Sequence, residues 1–269
     1  MINNQFTTWP LFTQEEANAV SRVLLSNKVN YWTGDECRQF EKEFAVWSNS
    51  EYAVALGNGT LALDVAFKAL NIADRDEVII TSRTFIASIS SIVNSGATPI
   101  FADVDLDSQN ITPETIRSVI TNKTKAIVCV HLAGWPCDMD EIMIIANEYD
   151  LYVIEDCAQA HGAKYKGKPV GSIGDIGCWS FCQDKIMTTG GEGGMVTTND
   201  EFLWRNIWAY KDHGKNFKSV TTPNSKPGFK WLHDSFGTNW RMTEIQASIG
   251  RIQLNLMSNW NELRNRNAM

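Results

Sequence analysis

A single lysine, Lys185, stands between an apolar run and a glycine-rich loop in SFCQDKIMTTGGEGG, residues 180–194. A long flexible cation is unusual at the end of a buried strand, and it has two interpretations. Lys185 is either a solvated loop charge or an amine held for chemistry, because desolvation or neighbouring cations lower a lysine pKa and free the amine for imine formation. The glycines within residues 190–194 would let a bulky group approach the backbone.

A turn with two glycines, GNGT at residues 57–60, follows an apolar strand and precedes a helical pattern. Glycines let a backbone approach an anion, and the free amides at a helix start point towards it, so GNGT predicts a phosphate cradle. GNGTLA also fits a degenerate dinucleotide fingerprint, but that site needs an acid at the end of the next strand, which here ends in ITSR. We therefore favour a phosphate over a dinucleotide, with an ordinary strand-to-helix turn as the alternative.

Two acids end another apolar strand in EDCAQAHG, residues 155–162. A buried carboxylate needs a partner, because desolvation otherwise raises its pKa, and a protonated heteroaromatic nitrogen would serve Asp156 in that role. Gln159 and His161 follow on the next turn. The alternative is that Asp156 only caps a following helix. Phe85, in SRTFIAS at a further strand end, either stacks on a flat ligand or belongs to the core.

These residues must be positioned by an alternation of short apolar runs and helical segments. The runs are apolar on both faces, which predicts an α/β fold, a three-layer sandwich with a mostly parallel central sheet. Two late strands, 176–182 and 194–198, are expected to form a hairpin-like closure around Lys185. The other predicted strands cover residues 52–56, 77–81, 99–103, 125–131 and 151–156, with helices between them.

Three segments make up the predicted domain organisation. Residues 1–50 form an N-terminal helical segment, 51–242 the large ligand-binding domain, and 243–269 the start of a final helix. Within the large domain, residues 214–237 are rich in Lys, Asn, Gly and Pro and are predicted to form a long loop.

All four chemical features fall at predicted strand ends, and ligands of a parallel sheet bind outside the carboxyl ends of its strands. A phosphate cradle, a buried acid, a flat aromatic and a lysine are the parts of a pyridoxal phosphate (PLP) site. In such a site the lysine forms an imine with the cofactor, and the carboxylate keeps the pyridine nitrogen protonated so that the ring accepts electrons. The sequence therefore predicts PLP as the cofactor.

Composition argues against several other classes of protein. The chain of 269 residues has a net charge of −7 and only short basic runs, which argues against nucleic acid as a partner. It has no apolar stretch near 18 residues and no signal-peptide pattern at its N-terminus, so we expect a cytoplasmic protein without a membrane contact. No CxxC pair occurs, and no cysteine has an evident base and orienting group for a nucleophile. A metal site is not predicted, because the spacing of its candidate ligands fits no zinc pattern: Cys129, His131, Cys137, Cys157 and His161.

The sequence resembles a known family, the PLP-dependent sugar aminotransferases of the DegT/DnrJ/EryC1/StrS type, within the fold-type I aspartate aminotransferase superfamily. The resemblance spans nearly all of residues 30–250. It is carried by GNGTLALDVAFKAL, TFIAS, VHLAGWPCDMDEI, VIEDCAQAHGA, SFCQDKIMTTGGEGGMVTTND and GTNWRMTEIQASIG.

The resemblance implies a role for each matching position. Lys185 would carry the cofactor and later move a proton between substrate and cofactor. Asp156 would pair with the pyridine nitrogen, and Gln159 would bond the cofactor's 3-oxygen. The remaining cofactor contacts would be stacking by Phe85, and phosphate binding by the amides of Gly59 and Thr60, the hydroxyl of Ser180 and, from the neighbouring subunit, Asn239. The last contact implies a homodimer with shared active sites.

The resemblance also implies the reaction. Relatives with histidine in place of Lys185 act as sugar 3-dehydratases, so the lysine favours transamination. The implied amino donor is glutamate, and the implied acceptor is a keto-sugar, either a nucleotide-linked 4-keto-6-deoxyhexose or an 8-keto octulosonate, for surface polysaccharide such as O-antigen or lipopolysaccharide. Substrate contacts are expected from residues 28–35 and 214–237.

Members of this family continue past the helix near Thr243 into a small C-terminal domain. We expect that domain to be largely absent from this sequence, and substrate closure to be affected. The alternative function is therefore a catalytically impaired or regulatory PLP-binding protein on the same scaffold.

Overall fold

The computed structural model describes residues 9–221 and 231–268. Part of the predicted loop, residues 222–230, therefore lies outside the described residues. The strands are β1 Tyr52–Leu56, β2 Glu77–Thr81, β3 Thr98–Ala102, β4 Thr124–Val130, β5 Tyr152–Asp156, β6 Lys164–Tyr165, β7 Lys168–Pro169, β8 Ile176–Ser180 and β9 Gly194–Thr198. The helices are α1 Gln14–Leu25, α2 Glu36–Ser48, α3 Gly59–Ala69, α4 Ile86–Asn94, α5 Pro113–Arg117, α6 Met139–Tyr149, α7 Glu201–Tyr210, α8 Phe217–Thr221 and α9 Glu244–Ala268.

Seven strands form one central sheet in the order β1-β9-β8-β5-β4-β2-β3. Strand β9 runs antiparallel to both of its neighbours, and the other neighbouring pairs are parallel. The prediction of a mostly parallel sheet is confirmed. The expected closure of residues 176–182 on 194–198 is confirmed too, because Ser180 pairs with Gly194 at the start of the β8–β9 ladder.

Successive residues of each central strand point to opposite faces of the sheet, and both faces are apolar. In β1, Val54 and Leu56 join a core under α3, α4 and α7, whereas Ala53 and Ala55 join a core with α2 and α9 on the other face. A third cluster fills the space between β2, β4, β5 and α6. Helices therefore cover both faces, and the predicted three-layer architecture is confirmed.

Two helix starts show why the chain folds locally as it does. Helix α1 begins with a capping box, in which Thr13 and Glu16 satisfy each other's backbone N–H groups. Helix α2 has no cap from its own residue Asp35. Its first N–H groups are instead bonded by Glu244 of α9, whose carboxylate is fully buried and accepts from Glu36 and Cys37. This contact joins α2 to the final helix.

The structure also contains elements that the sequence did not predict. Strands β6 and β7 form a two-residue hairpin beside the main sheet. The short helix α8 begins within the segment predicted as a loop. No helix in the described ranges is long and apolar enough to cross a membrane.

Candidate active site

A cavity of about 620 Å³ opens at the carboxyl end of the parallel strands, beside the N-terminus of α3. Seven of the eight residues predicted for the cofactor line this one cavity: Gly59, Thr60, Phe85, Asp156, Gln159, Ser180 and Lys185. Asn239 is exposed and is not among the lining residues. The topology thus brings together residues that are up to 126 positions apart in the chain, from Gly59 to Lys185.

The N-terminus of α3 leaves two backbone donors free for an anion. The side chain of Asn58 caps the helix by accepting from the N–H of Leu61 at 2.9 Å. The N–H groups of Gly59 and Thr60 have no acceptor among the residues that the structure describes. The hydroxyl of Ser180 lies on the adjacent strand end, so these groups can bind a phosphate together.

Gly59 must be a glycine because the helix start and the end of β8 approach closely. A Cβ at this position would lie 2.6 Å from the Cβ of Ser180 and 2.9 Å from its Oγ. Gly194, which pairs with Ser180, is restricted in the same way, since its Cβ would lie 2.2 Å from the carbonyl oxygen of Asn58. The cradle is therefore built from backbone without side-chain bulk, which suits a group the size of a phosphate.

Asp156 ends β5 and is 6% exposed. Its carboxylate accepts hydrogen bonds from the Ser88 hydroxyl at 2.7 Å and from the Ala158 N–H at 3.1 Å. Turns follow β5, so the alternative that Asp156 caps a helix is wrong. No basic side chain forms an ion pair with Asp156 in the described part of the chain. Neutral donors therefore hold a carboxylate at the cavity wall, where it can pair with a ring nitrogen.

The amide of Gln159 has a defined orientation. Its Oε1 accepts from the N–H of Ala133 at 2.8 Å, which leaves the Nε2 group to donate into the cavity. Ala133 has a left-handed backbone, φ 52°, in the 3-10 turn Leu132–Gly134. Such a conformation is costly for alanine and is found where surrounding structure enforces it, often at functional sites. Gln159 can thus donate to the cofactor's 3-oxygen.

Glu155 and His131 form a buried hydrogen-bonded pair next to this turn. The sequence analysis did not predict this contact. The Nε2 of His131 donates to Glu155 over 2.9 Å, and its Nδ1 accepts the N–H of Cys137 at 3.2 Å. Both side chains are fully buried. Burial by itself raises the pKa of Glu155, but hydrogen bonds from His131, Gly171 and Gly174 lower that pKa overall. His131 is the C-terminal neighbour of β4 and also lines the cavity.

Two of the three clustered residues that could bind a metal are engaged in other contacts. His131, Glu155 and Cys157 have potential ligand atoms within 4.8 Å of one another. However, His131 and Glu155 are bonded to each other, and Glu155 also accepts from backbone N–H groups of residues 171, 173 and 174. The geometry is that of a buried hydrogen-bond network that shapes the cavity wall.

Phe85 is 70% exposed and precedes α4 at the cavity, so the alternative of a core residue is wrong. His161, in contrast, is 2% exposed and packs against the rings of Trp179 and Phe181. Burial, and then the positive charges of Lys185 and Arg264, lower the pKa of His161 to about 3. His161 is therefore neutral at physiological pH and packs against Trp179, which lines the cavity.

Lys185 lies in the loop between β8 and β9. Its side chain is 16% exposed, which contradicts the alternative of a solvated loop charge. The Nζ atom lies 2.9 Å from a carboxylate oxygen of Asp184, and this hydrogen bond lowers the pKa of Asp184. Asp184 also lines the cavity but was not predicted, because a lysine and its neighbour in sequence give no pattern. The amine is thus held at the cavity by a carboxylate from which another partner can displace it.

A mostly parallel seven-stranded sheet that brings a lysine, a buried acid and an anion cradle to its carboxyl edge defines a class of protein, the fold-type I PLP-dependent aminotransferases. The chain belongs to the DegT/DnrJ/EryC1/StrS aminotransferase family, whose model matches residues 10–269. This finding confirms the family and the cofactor that the sequence predicts.

Three relatives illustrate the match. The GDP-perosamine synthase of Escherichia coli O157:H7 is 44% identical over 249 residues, which cover 91% of this chain and 64% of that protein. The dTDP-3-amino-3,6-dideoxy-alpha-D-galactopyranose transaminase of Aneurinibacillus thermoaerophilus is 40% identical over 253 residues, 94% of this chain and 66% of that one. A solved aminotransferase from Psychrobacter cryohalolentis is 71% identical with a TM-score of 0.96, covering 98% of this chain and 67% of that chain. The chain spans about two thirds of the length of these relatives.

Proposed function

We propose that the chain forms the cofactor-binding part of an aminotransferase that moves an amino group from glutamate to a keto-sugar. The observation that carries this proposal is the shared cavity, which Lys185, Asp156 and the cradle at Gly59 and Thr60 all line. When bound, PLP supplies an aldehyde for covalent attachment and a ring that accepts electrons. The protein supplies the amine, the counter-charge and the anion site.

Lys185 is the proposed catalytic residue. Its amine is the covalent attachment point, and once released it holds and moves the proton during transfer of the amino group. Asp184, 2.9 Å from Nζ, gives the released amine a partner at the cavity. A nearby partner keeps the free amine from turning away into solvent between the two half-reactions.

The other residues bind and orient the cofactor. Asp156 pairs with the ring nitrogen, and its bonds from Ser88 and Ala158 keep the carboxylate facing it. Gln159 donates to the 3-oxygen, Phe85 stacks on the ring, and Ser180 joins the phosphate cradle. Orientation matters because a misplacement of about 1 Å at a reacting group costs about 100-fold in rate.

The acceptor is proposed to be a nucleotide-linked keto-hexose, destined for a surface polysaccharide. Two relatives, a GDP-perosamine synthase and a transaminase for a dTDP-linked amino sugar, support this class. An 8-keto octulosonate is the rival acceptor, based on the sequence resemblance of residues 27–34, 82–88 and 180–200. The two acceptors differ in charge and size, since only the nucleotide-linked hexose carries a nucleoside diphosphate.

A homodimer with shared sites is the proposed assembly. Asn239 is exposed and lies outside the cavity of its own chain, as expected of a residue that reaches a neighbour's phosphate. Among the residues that the structure describes, the cavity of one chain has only one lysine and no arginine to bind an anionic donor. Its lining contains three acids and one lysine, Asp156, Asp184, Glu192 and Lys185, together with the buried His131. Additional positive charge from a second copy would compensate for this acidic lining.

The test is a screen in which the PLP-loaded protein is given glutamate and a panel of nucleotide-linked 4-keto sugars, plus an 8-keto octulosonate. We expect 2-oxoglutarate with one sugar class, and borohydride reduction should fix the cofactor on Lys185. Lys185→Ala should abolish both signals, and Asp156→Asn should lower turnover by about 100-fold or more. The control Lys168→Ala changes an exposed lysine and should behave as wild type. Cofactor label on another residue, or turnover in Lys185→Ala, would refute the assignment.

A further inference from the structure

The backbone of Lys185 is fixed by two hydrogen bonds of different origin. Its N–H donates to the carbonyl of Cys182 at 3.0 Å, which is a contact within the same loop. Its carbonyl accepts from the indole Nε1–H of Trp9 at 2.9 Å, across 176 positions in sequence. In the described part of the chain, this is the only hydrogen bond that the carbonyl receives.

The indole of Trp9 is itself held on two sides by α9. The ring of Trp260 meets it edge-on, with centroids 5.5 Å apart and planes at 81°. The guanidinium of Arg264 lies 5.3 Å from the Trp9 ring centroid, within the range of a cation–π interaction. Trp9 is 41% exposed, so its ring is not part of the hydrophobic core and instead contacts α9 at the surface. The segment before α1 therefore joins the lysine loop to the last helix.

The rest of the loop is attached to α9 by other residues. Gln253 accepts the N–H of Thr188 at 2.8 Å, and Gln246 donates to the carbonyl of Glu192 at 2.7 Å. These contacts fix the part of the loop that follows the lysine. The peptide plane between Lys185 and Ile186 has the Trp9 contact instead. That plane sets the direction in which the lysine side chain leaves the backbone.

We propose that Trp9 is a positioning residue for Lys185, through the hydrogen bond from its indole to the lysine carbonyl. This inference rests on the proposed function, because it concerns the amine of that same site. A lysine side chain has four rotatable bonds, and its amine can reach one point reliably only from a fixed backbone. Trp9 touches neither the cavity nor, in this proposal, any substrate, so its effect is on the amine alone.

The first arm of the test uses the protein without PLP and is independent of activity. Amide hydrogen exchange is measured for a peptide covering residues 183–188 in wild type and in Trp9→Phe, which keeps a ring against Trp260 but has no N–H donor. We expect exchange to be at least about threefold faster in this peptide and unchanged in other segments. The matched control is Phe12→Leu, which changes a similarly exposed aromatic three residues away.

The second arm uses the PLP-loaded protein with a sugar that turns over. In Trp9→Phe we expect kcat to fall about three- to tenfold, the effect of losing one hydrogen bond that orients a catalytic group. The KM values for donor and acceptor should change less than about twofold. The pH dependence of the absorbance of the lysine-linked cofactor should shift in Trp9→Phe and not in Phe12→Leu.

The outcomes separate this inference from the proposed function. Faster exchange confined to residues 183–188 together with a loss in kcat supports it. Exchange like that of wild type, faster exchange in all segments, or local loosening with unchanged kcat overturns it. If wild-type protein takes up no PLP on Lys185, the proposed function fails, and the exchange arm still decides whether the indole fixes the loop.

Discussion

At the residue scale, the cavity depends on positions where a side chain would be an obstacle. Gly59 is such a position, because the N-terminus of α3 and the end of β8 meet there. The anion cradle exists only while these two backbones remain in close contact. Adding a single methyl group at this position should therefore weaken the affinity of the cradle for a phosphate.

We expect Gly59→Ala to weaken PLP binding by about tenfold or more, since its Cβ would lie 2.6 Å from Ser180 and overpacking costs about 1–3 kcal/mol. PLP titration followed by absorbance measures this change. Gly57→Ala is the matched control in the same turn, because the nearest atom to its Cβ would be 3.5 Å away. Equal affinity for PLP in the two variants would contradict the close-contact explanation.

His161 gives a prediction about pH. Its pKa is about 3 in the folded protein and about 6.5 in an unfolded chain. Between these values the unfolded chain binds a proton that the folded protein does not, so the free energy of unfolding falls as the pH falls. We expect this residue to account for a loss of about 2 kcal/mol between pH 7 and pH 5.

Urea unfolding at the two pH values tests this prediction. His161→Phe keeps an aromatic ring against Trp179 and should lose less stability on acidification than wild type does. His233→Gln changes an exposed histidine and should leave the pH dependence unchanged. An identical acid sensitivity in His161→Phe would show that this histidine is not the group responsible.

Residue types at strand ends were sufficient to predict residues that line one common cavity. Lys185, Asp156 and Gly59 each lie at or just after the end of a clearly predicted strand. Because the carboxyl ends of parallel strands meet at one edge of the sheet, these three residues are expected to lie close together. Asp184, Glu155 and Trp9 were not assigned their contacts. Their partners are set by side-chain direction or by contacts between distant segments, and neither leaves a periodic pattern in the sequence.

At the element scale, Glu244 links two helices through a buried carboxyl group. It is the first residue of α9 and supplies the acceptors that the N-terminus of α2 lacks. Gly34 lies so close to this carboxylate that a Cβ would be 2.2 Å from its oxygen. Arg251 adds ion pairs from the same helix to Glu36 and Glu43. These polar contacts therefore fix the position of α2 along α9, in addition to the apolar packing between the two helices.

We expect Glu244→Ala to lower the free energy of unfolding by about 2–4 kcal/mol, because two N–H groups at the start of α2 lose their acceptors. Thermal or denaturant unfolding measures the change. Glu262→Ala is the control on the same helix, where the glutamate is exposed. A loss no larger than that of the control would mean that water replaces the carboxylate at no cost.

The elements that were predicted correctly are those with a strong hydrophobic period. Strands β8 and β9 are buried along their whole length, and their sequences, IGCWS and GMVTT, contain no charged residue. The hairpin of β6 and β7 and the helix α8 are too short for a period to show. The order of strands in the sheet also does not follow from local patterns, because it is decided by which elements pack together.

At the scale of the whole molecule, the proposed homodimer places Lys185 and Asn239 of one site on different chains. This arrangement can be tested by mixing two variants that we expect to be inactive, Lys185→Ala and Asn239→Ala, under conditions that exchange subunits. A hybrid dimer would contain one site with both native residues and one site with neither. We expect activity to return to about one quarter of the wild-type level, because half of the dimers are hybrids and each has one intact site.

Each variant incubated alone under the same conditions is the control, and it should remain inactive. If both residues belonged to the same chain's site, mixing would restore nothing. Sedimentation of the unmixed wild type as a monomer with PLP bound would equally contradict the shared site. The sequence could predict this assembly only by resemblance, since an exposed asparagine carries no local pattern of its own.

The reversed direction of β9 has a consequence for how such sites can diversify. Because Ser180 and Gly194 are directly paired, the segment between them leaves and re-enters the sheet at neighbouring points, about 5 Å apart. Residues 181–193 thus form a loop whose two ends are held next to each other by the sheet. Such a loop can be replaced by the corresponding loop of a relative, or changed in length, while β8 and β9 remain paired as they are.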